Sequence, residues 1–78
     1  MNNRKLDIMM IGQRLKSYRL YKGYSLRHVS ELTGISHVGI RNYEEGKRCI
    51  DLDRLFDICN AYGIDMVKFL DECMEYKK

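Results

Sequence analysis

With 78 residues, 45% of them apolar, the chain is expected to make one small domain around one core, and a disordered polymer is excluded. No run approaches the roughly 20 apolar residues of a membrane span, and the longest apolar run near the start, Ile8 to Ile11, is too short for the core of a signal peptide. The net charge of +3 is unevenly spread: residues 1–50 hold ten Lys/Arg against four Asp/Glu, and residues 51–78 hold four against seven. A cytoplasmic protein with one basic face and one acidic face is the expectation, with no membrane contact.

Residues 1–6 read as a frayed tail, in which Arg4 and Lys5 could form a short basic arm. The first helix is predicted over about 7–22, capped by Asp7, with Ile8, Ile11, Leu15 and Tyr18 as its inward stripe. Arg14 and Lys16 lie off that stripe, while Arg19 adjoins it and needs a partner. Gly23 closes the helix and Tyr24 returns to the core. The next stretch, SLRHVSELTGISHVGIRNYEEGK over 25–47, is the most heavily punctuated of the chain. Ser25 caps a second helix over about 26–33, with Leu26, Val29 and Leu32 on one face. Gly34 stops it in a left-handed turn, and Ile35 plugs the turn. Ser36 caps a third helix over about 37–45, which Gly46 ends. Small Ser30 suits a close crossing. The spacing of Val29, Gly34, Ile35 and Ile40 leaves room for one sharp helix–turn–helix and little else.

After the linker GKRCID, a fourth helix is predicted over 52–62, with Leu52, Leu55, Phe56, Cys59 and Tyr62 inward. Gly63 ends it, Ile64 plugs the turn, and Asp65 caps a fifth helix that runs to about residue 75. Met66, Phe69, Leu70 and Cys73 repeat at three- and four-residue steps. Met66 and Met74 read as ordinary core, or as a Met-rich binding surface. Cys49, Cys59 and Cys73 are odd in number and lack a CxxC pair, so three reduced thiols are expected, with no metal.

The 25–47 stretch resembles the helix-turn-helix of the Cro and phage-repressor class, the Xre family. The flanks extend the likeness: IGQRLKSYRLYKGYS (11–25) looks like that family's first helix and glycine loop, YEEGKR (43–48) like its turn after the recognition helix, and LDRLFDICNAYGI (52–64) like its fourth helix. The resemblance covers roughly residues 8–72 and implies an all-α, compact five-helix lambda-repressor-like domain, with the motif in its second and third helices. Two positions depart from the pattern. Leu26 stands where many members have a phosphate-contacting Gln, and Ile50 stands where the linker usually has Pro.

Each residue of the third helix advances about 100°. Ile40, Tyr43 and Glu44 then face the core, and His37, Val38, Arg41 and Asn42 face outward. By resemblance, these four outward positions are the base-reading ones. The chemistry is suitable: Arg41 offers a fork to guanine, Asn42 could pair with adenine or donate to a phosphate, Val38 suits a thymine methyl, and His37 donates or accepts. Phosphate contacts are expected from the flanks, at Arg14, Ser36, Lys47 and Arg48. The resemblance also implies a structural ion pair between Arg19 and Glu44. Met66, Val67, Phe69, Leu70, Cys73 and Met74 exceed what one small core easily absorbs, and are expected to supply a dimer contact.

The expected function is a sequence-specific regulator of transcription, a repressor that binds double-stranded DNA as a homodimer on a pseudo-palindromic operator. The alternative is a protein-interaction module of the antitoxin or antirepressor type on the same fold, with a protein partner. An enzyme is not expected, because the sequence shows no nucleophile–base pair, no metal cluster and no phosphate-cradling glycine loop. No cofactor and no small-molecule ligand are expected either. Without a sensor domain, control would come through concentration or a partner protein.

Overall fold

The computed structural model describes the backbone of residues 4–76 and the side chains of residues 6–74. Five helices follow one another: α1 (Ile8–Lys22), α2 (Leu26–Thr33), α3 (His37–Glu44), α4 (Leu52–Tyr62) and α5 (Met66–Cys73). Short strands β1 (Arg4–Leu6) and β2 (Met74–Tyr76) pair antiparallel, with Leu6 opposite Met74.

Every helix starts on a short oxygen side chain. Asp7, Ser25, Ser36, Asp51 and Asp65 each accept a backbone N–H of the first turn, at Met9, His28, Gly39, Arg54 and Lys68 respectively. Such caps satisfy amides that the helix itself leaves unpaired. α3 ends differently from α1, α2 and α4, whose caps are left-handed glycines: Glu45 caps it, Gly46 turns left-handed at φ 74°, and the Lys47 N–H returns to the Asn42 carbonyl at 2.9 Å.

One core collects Ile11 and Leu15 of α1, Val29 of α2, Ile40 of α3, Leu55, Ile58, Cys59 and Tyr62 of α4, and Phe69 and Cys73 of α5. Ile50, in the position where the resembling family has Pro, also turns inward and is 9% exposed. Desolvation in this core pushes the Cys59 and Cys73 thiols up to about 11, so both stay protonated at neutral pH.

Several sequence expectations are corrected here. Residues 4–6 are not a frayed tail but one strand of the terminal ribbon; residues 1–3 lie outside the described residues. The side chains of Arg4 and Lys5, the suggested basic arm, lie outside them too. α5 stops at Cys73 because Met74 turns extended (φ −86°, ψ 135°) to enter β2. In α4 the inward stripe is Leu55, Ile58, Cys59 and Tyr62, while Leu52 and Phe56 are 65% and 52% exposed. Leu52 opens the helix and Phe56 lies about 100° round from Leu55, so Ile58, three residues from Leu55 and four from Tyr62, takes the inward place. Ile8 and Leu32 also face outward.

α3 packs on both α1 and α2. Its approach to α1 is close because Gly12 has no side chain there. A Cβ at Gly12 would stand 2.4 Å from the Tyr43 carbonyl oxygen and 2.6 Å from that of Glu44. The second tie between these helices is electrostatic. Arg19 Nε donates to Glu44 Oε2 at 2.7 Å and Arg19 Nη2 to Glu44 Oε1 at 3.0 Å. Arg19 Nη1 also donates to the Tyr24 carbonyl at 2.9 Å. The Glu44 hydrogen bonds raise the Arg19 pKa further above its already high value. α3 is thus held from behind, and its opposite face is free.

Candidate nucleic-acid interface

The outward face of α3 carries the four expected base-reading side chains. His37, Val38 and Arg41 are exposed, and Asn42 is half-buried. With Ile40 and Glu44 buried on the far side, the helix is anchored by one face and presents the other as a ridge. This rigidity matters, because base readout requires side chains placed on a fixed backbone.

The two flanks of the ridge differ. On one side a notch runs between α3 and the start of α2, lined by Arg19, Ser25, Leu26, Arg27, His37 and Arg41. On the other a polar cleft runs from the α2–α3 turn to the start of α4, lined by Ser36, Gly39, Tyr43, Arg48, Asp51 and Arg54, among others. Ser36 and Arg48, two of the expected phosphate contacts, therefore lie together. The Ser36 hydroxyl accepts the Gly39 N–H at 3.0 Å, so its cap role is already in use.

Lys47 follows the C-terminal end of α3, where its Nζ lies 3.0 Å from Glu45 Oε1. The Lys47 hydrogen bond, with further attraction from Lys47, Arg41 and Lys16, holds the Glu45 carboxyl below its ordinary range. The end of α3 thus carries Lys47, with the charges of Arg41 and of Lys16 from α1 near enough to act on Glu45. Periodicity alone places Lys16 off the apolar stripe of α1 and says nothing of this neighbourhood.

Arg14 does not belong to this face. It points toward α5, with Nη1 3.8 Å from Glu72 Oε1, and the Tyr18 hydroxyl donates to that same oxygen at 2.8 Å. The reason is rotational: Gly12 marks the side of α1 that meets α3, and Arg14 lies about 200° further round. Arg14 thus lies away from the face on which the phosphate contacts are expected. The Glu72 hydrogen bond also raises the Tyr18 pKa.

The expected dimer residues separate into two sets. Phe69 and Cys73 are 1% and 0% exposed, packed in the protomer's own core, so they are removed from any intermolecular contact. Val67 is 71% exposed, while Met66, Leu70 and Met74 are half-buried. Val67, Leu70 and Met74 line a shallow apolar depression together with Lys68, Asp71 and Glu72.

Among the described residues, no group of three His, Cys, Asp or Glu side chains is placed to hold a metal ion. No helix there is long and apolar enough to cross a membrane. His28 instead packs edge-on against Tyr24, with ring centroids 4.8 Å apart.

A family model described as helix-turn-helix matches residues 15–69. An SPbeta prophage-derived HTH-type transcriptional regulator of Bacillus subtilis, YonR, is 40% identical over 55 residues, covering 70% of this chain and 51% of that protein. The Escherichia coli HTH-type transcriptional regulator PuuR is 31% identical over 61 residues, covering 78% of this chain and 33% of that protein. The chain thus spans about half the length of the Bacillus relative and about a third of PuuR. Among solved structures, the clp gene regulator ClgR of Corynebacterium glutamicum superposes with a TM-score of 0.80 at 28% identity, covering 88% of this chain and 90% of that one. The biofilm regulator SinR, solved in complex with DNA, gives 0.73 at 29% identity, over 78% of this chain and 98% of that one. The motif, the order of the helices and these similarities agree: the chain belongs to the Xre/Cro-type helix-turn-helix family of DNA-binding transcriptional regulators.

Proposed function

We propose that the chain is a sequence-specific repressor that inserts α3 into the major groove of a pseudo-palindromic operator. The observation that carries this reading is the ridge of exposed His37, Val38 and Arg41 with half-buried Asn42, on a helix anchored from behind. Arg41 is the base-reading fork. Lys47, beyond the helix end, meets sugar and phosphate, as do Arg48 and Ser36 on the other flank.

These roles separate experimentally. Arg41→Ala should cost about 1–3 kcal/mol on the operator and relax the preference at one base pair. Lys47→Ala should weaken binding to all sequences alike, and flatten the slope of log affinity against log salt by about one unit. The measurement is binding to a selected site and to its scrambled version across a salt series. Equal losses on both duplexes for Arg41→Ala would remove it from base readout. Absence of DNA binding by the parent chain would leave the antitoxin-type interaction module as the reading.

Two copies would act together, through Met66, Val67, Leu70 and Met74 of the α5 side. Paired half-sites place two recognition helices about 34 Å apart. Val67 is the most exposed apolar residue on α5, so Val67→Glu should shift the protein toward monomer and reduce cooperativity on a two-half-site duplex. Sedimentation of both forms, free and DNA-bound, decides this; a parent chain that binds the operator as one protomer overturns it.

A further inference from the structure

The notch beside α3 holds one more cationic residue, on α2. Arg27 stands at the second position of α2 and lines the notch with Arg19, His37 and Arg41. Two exposed arginines, Arg27 and Arg41, thus line one depression beside Arg19, and no carboxylate lines it. Glu44 is engaged by Arg19. Glu31, one turn beyond Arg27, lies instead 3.8 Å from His28 Nδ1. Among the described residues, neither Arg27 nor Arg41 has an ion-pair partner within 4.0 Å. Two like charges that lack an ion-pair partner within 4.0 Å favour the arrival of an anion.

The backbone around Arg27 points the same way. The Ser25 side chain takes the His28 N–H and the Ser25 carbonyl takes the Val29 N–H, while the amides of the first turn at Leu26 and Arg27 have no helical acceptor. Leu26 is half-buried and packs against the core, so it brings no polar group to the notch. Arg27, one residue on, is exposed. When α3 enters the groove, the notch on its flank meets the groove wall, where the sugar–phosphate backbone passes.

We propose that Arg27 is a phosphate-binding residue of this interface, acting from α2 where Leu26 cannot. The proposal rests on the reading of α3 as the groove-entering helix. Arg27 carries no sequence preference; it sets how firmly and at what depth α3 is seated. Together with Arg41 it makes a clamp with one arm on the backbone and one on a base edge.

The test uses Arg27→Ala, Arg27→Lys and Arg14→Ala with a labelled random-sequence duplex over a potassium chloride series. Arg27→Ala should weaken binding and flatten the log–log salt slope by about one unit, which is one phosphate contact. Arg27→Lys should keep the slope, because the charge is kept. Arg14→Ala should match the parent in both. Thermal melting of each variant should be unchanged, since neither side chain is in the core. An unchanged slope for Arg27→Ala, in a parent chain that does bind, overturns this proposal and leaves the α3 reading intact. A parent chain that does not bind the duplex overturns both.

Discussion

Glu44→Ala should lower stability by about 3–5 kcal/mol, a large share of the 5–15 kcal/mol that holds a typical domain folded. Arg19 and Glu44 are 8% and 7% exposed, so little water reaches the pair. Removing the carboxylate takes two of the three acceptors that the Arg19 guanidinium uses, and leaves only the Tyr24 carbonyl. The cost is therefore mainly that of a stranded charge. It follows that removing both charges should hurt less than removing one. The double variant Arg19→Met with Glu44→Leu should be more stable than Glu44→Ala alone, because no charge is left buried. Urea unfolding followed by helical circular dichroism measures this directly. A loss below about 0.5 kcal/mol, the size typical of a plain surface substitution, would mean that the pair is solvated.

Gly12→Ala should also destabilise, and here two effects oppose each other. In an isolated helix, Ala would be favoured over Gly by about 1 kcal/mol. At this position the added methyl would lie 2.4 and 2.6 Å from two carbonyl oxygens at the end of α3. Both are backbone atoms, so no side-chain rotation relieves the overlap, and one of the helices must move. Overpacking of this kind costs about 1–3 kcal/mol and occasionally more. Because backbone cannot rotate away, the overlap should outweigh the propensity gain, for a net loss of up to about 2 kcal/mol with α3 displaced from α1. The displacement has its own readout: DNA affinity per folded molecule should fall, because the ridge of His37, Val38, Arg41 and Asn42 is no longer seated in the same place. If Gly12→Ala instead raises the denaturation midpoint, the two helices do not approach as closely as the structure places them.

Gly12 also shows where sequence reading stops short. A glycine inside a 15-residue helix costs about 1 kcal/mol relative to alanine, and that cost is the one sign in the sequence that something lies against it. What lies against it comes from residues 43 and 44, more than thirty positions away. The same limit applies to Arg14. Its charge was visible, but which side of α1 faces α3 and which faces α5 depends on how three helices pack. The terminal ribbon joins opposite ends of the chain, and no local pattern in MNNRKL marks a partner for it.

The sequence by itself determined the helices, their caps and the turn between α2 and α3. These features are short-range: each cap is a side chain that accepts from an amide two or three residues on, and the left-handed turns fall at glycines. It also carried the family resemblance and most of the outward face of α3, because helical periodicity separates Ile40 and Glu44 from Val38, Arg41 and Asn42; His37 lies about 20° from Glu44 on the wheel and is exposed where the helix begins. The tertiary structure alone decided what depends on distant neighbours. It chose Ile58 over Phe56 for the core, sank Phe69 and Cys73 out of reach of any partner, turned Arg14 toward Glu72, and set Arg27 beside Arg41. In each case several faces of a helix were chemically eligible, and the choice followed from which face another helix came to cover.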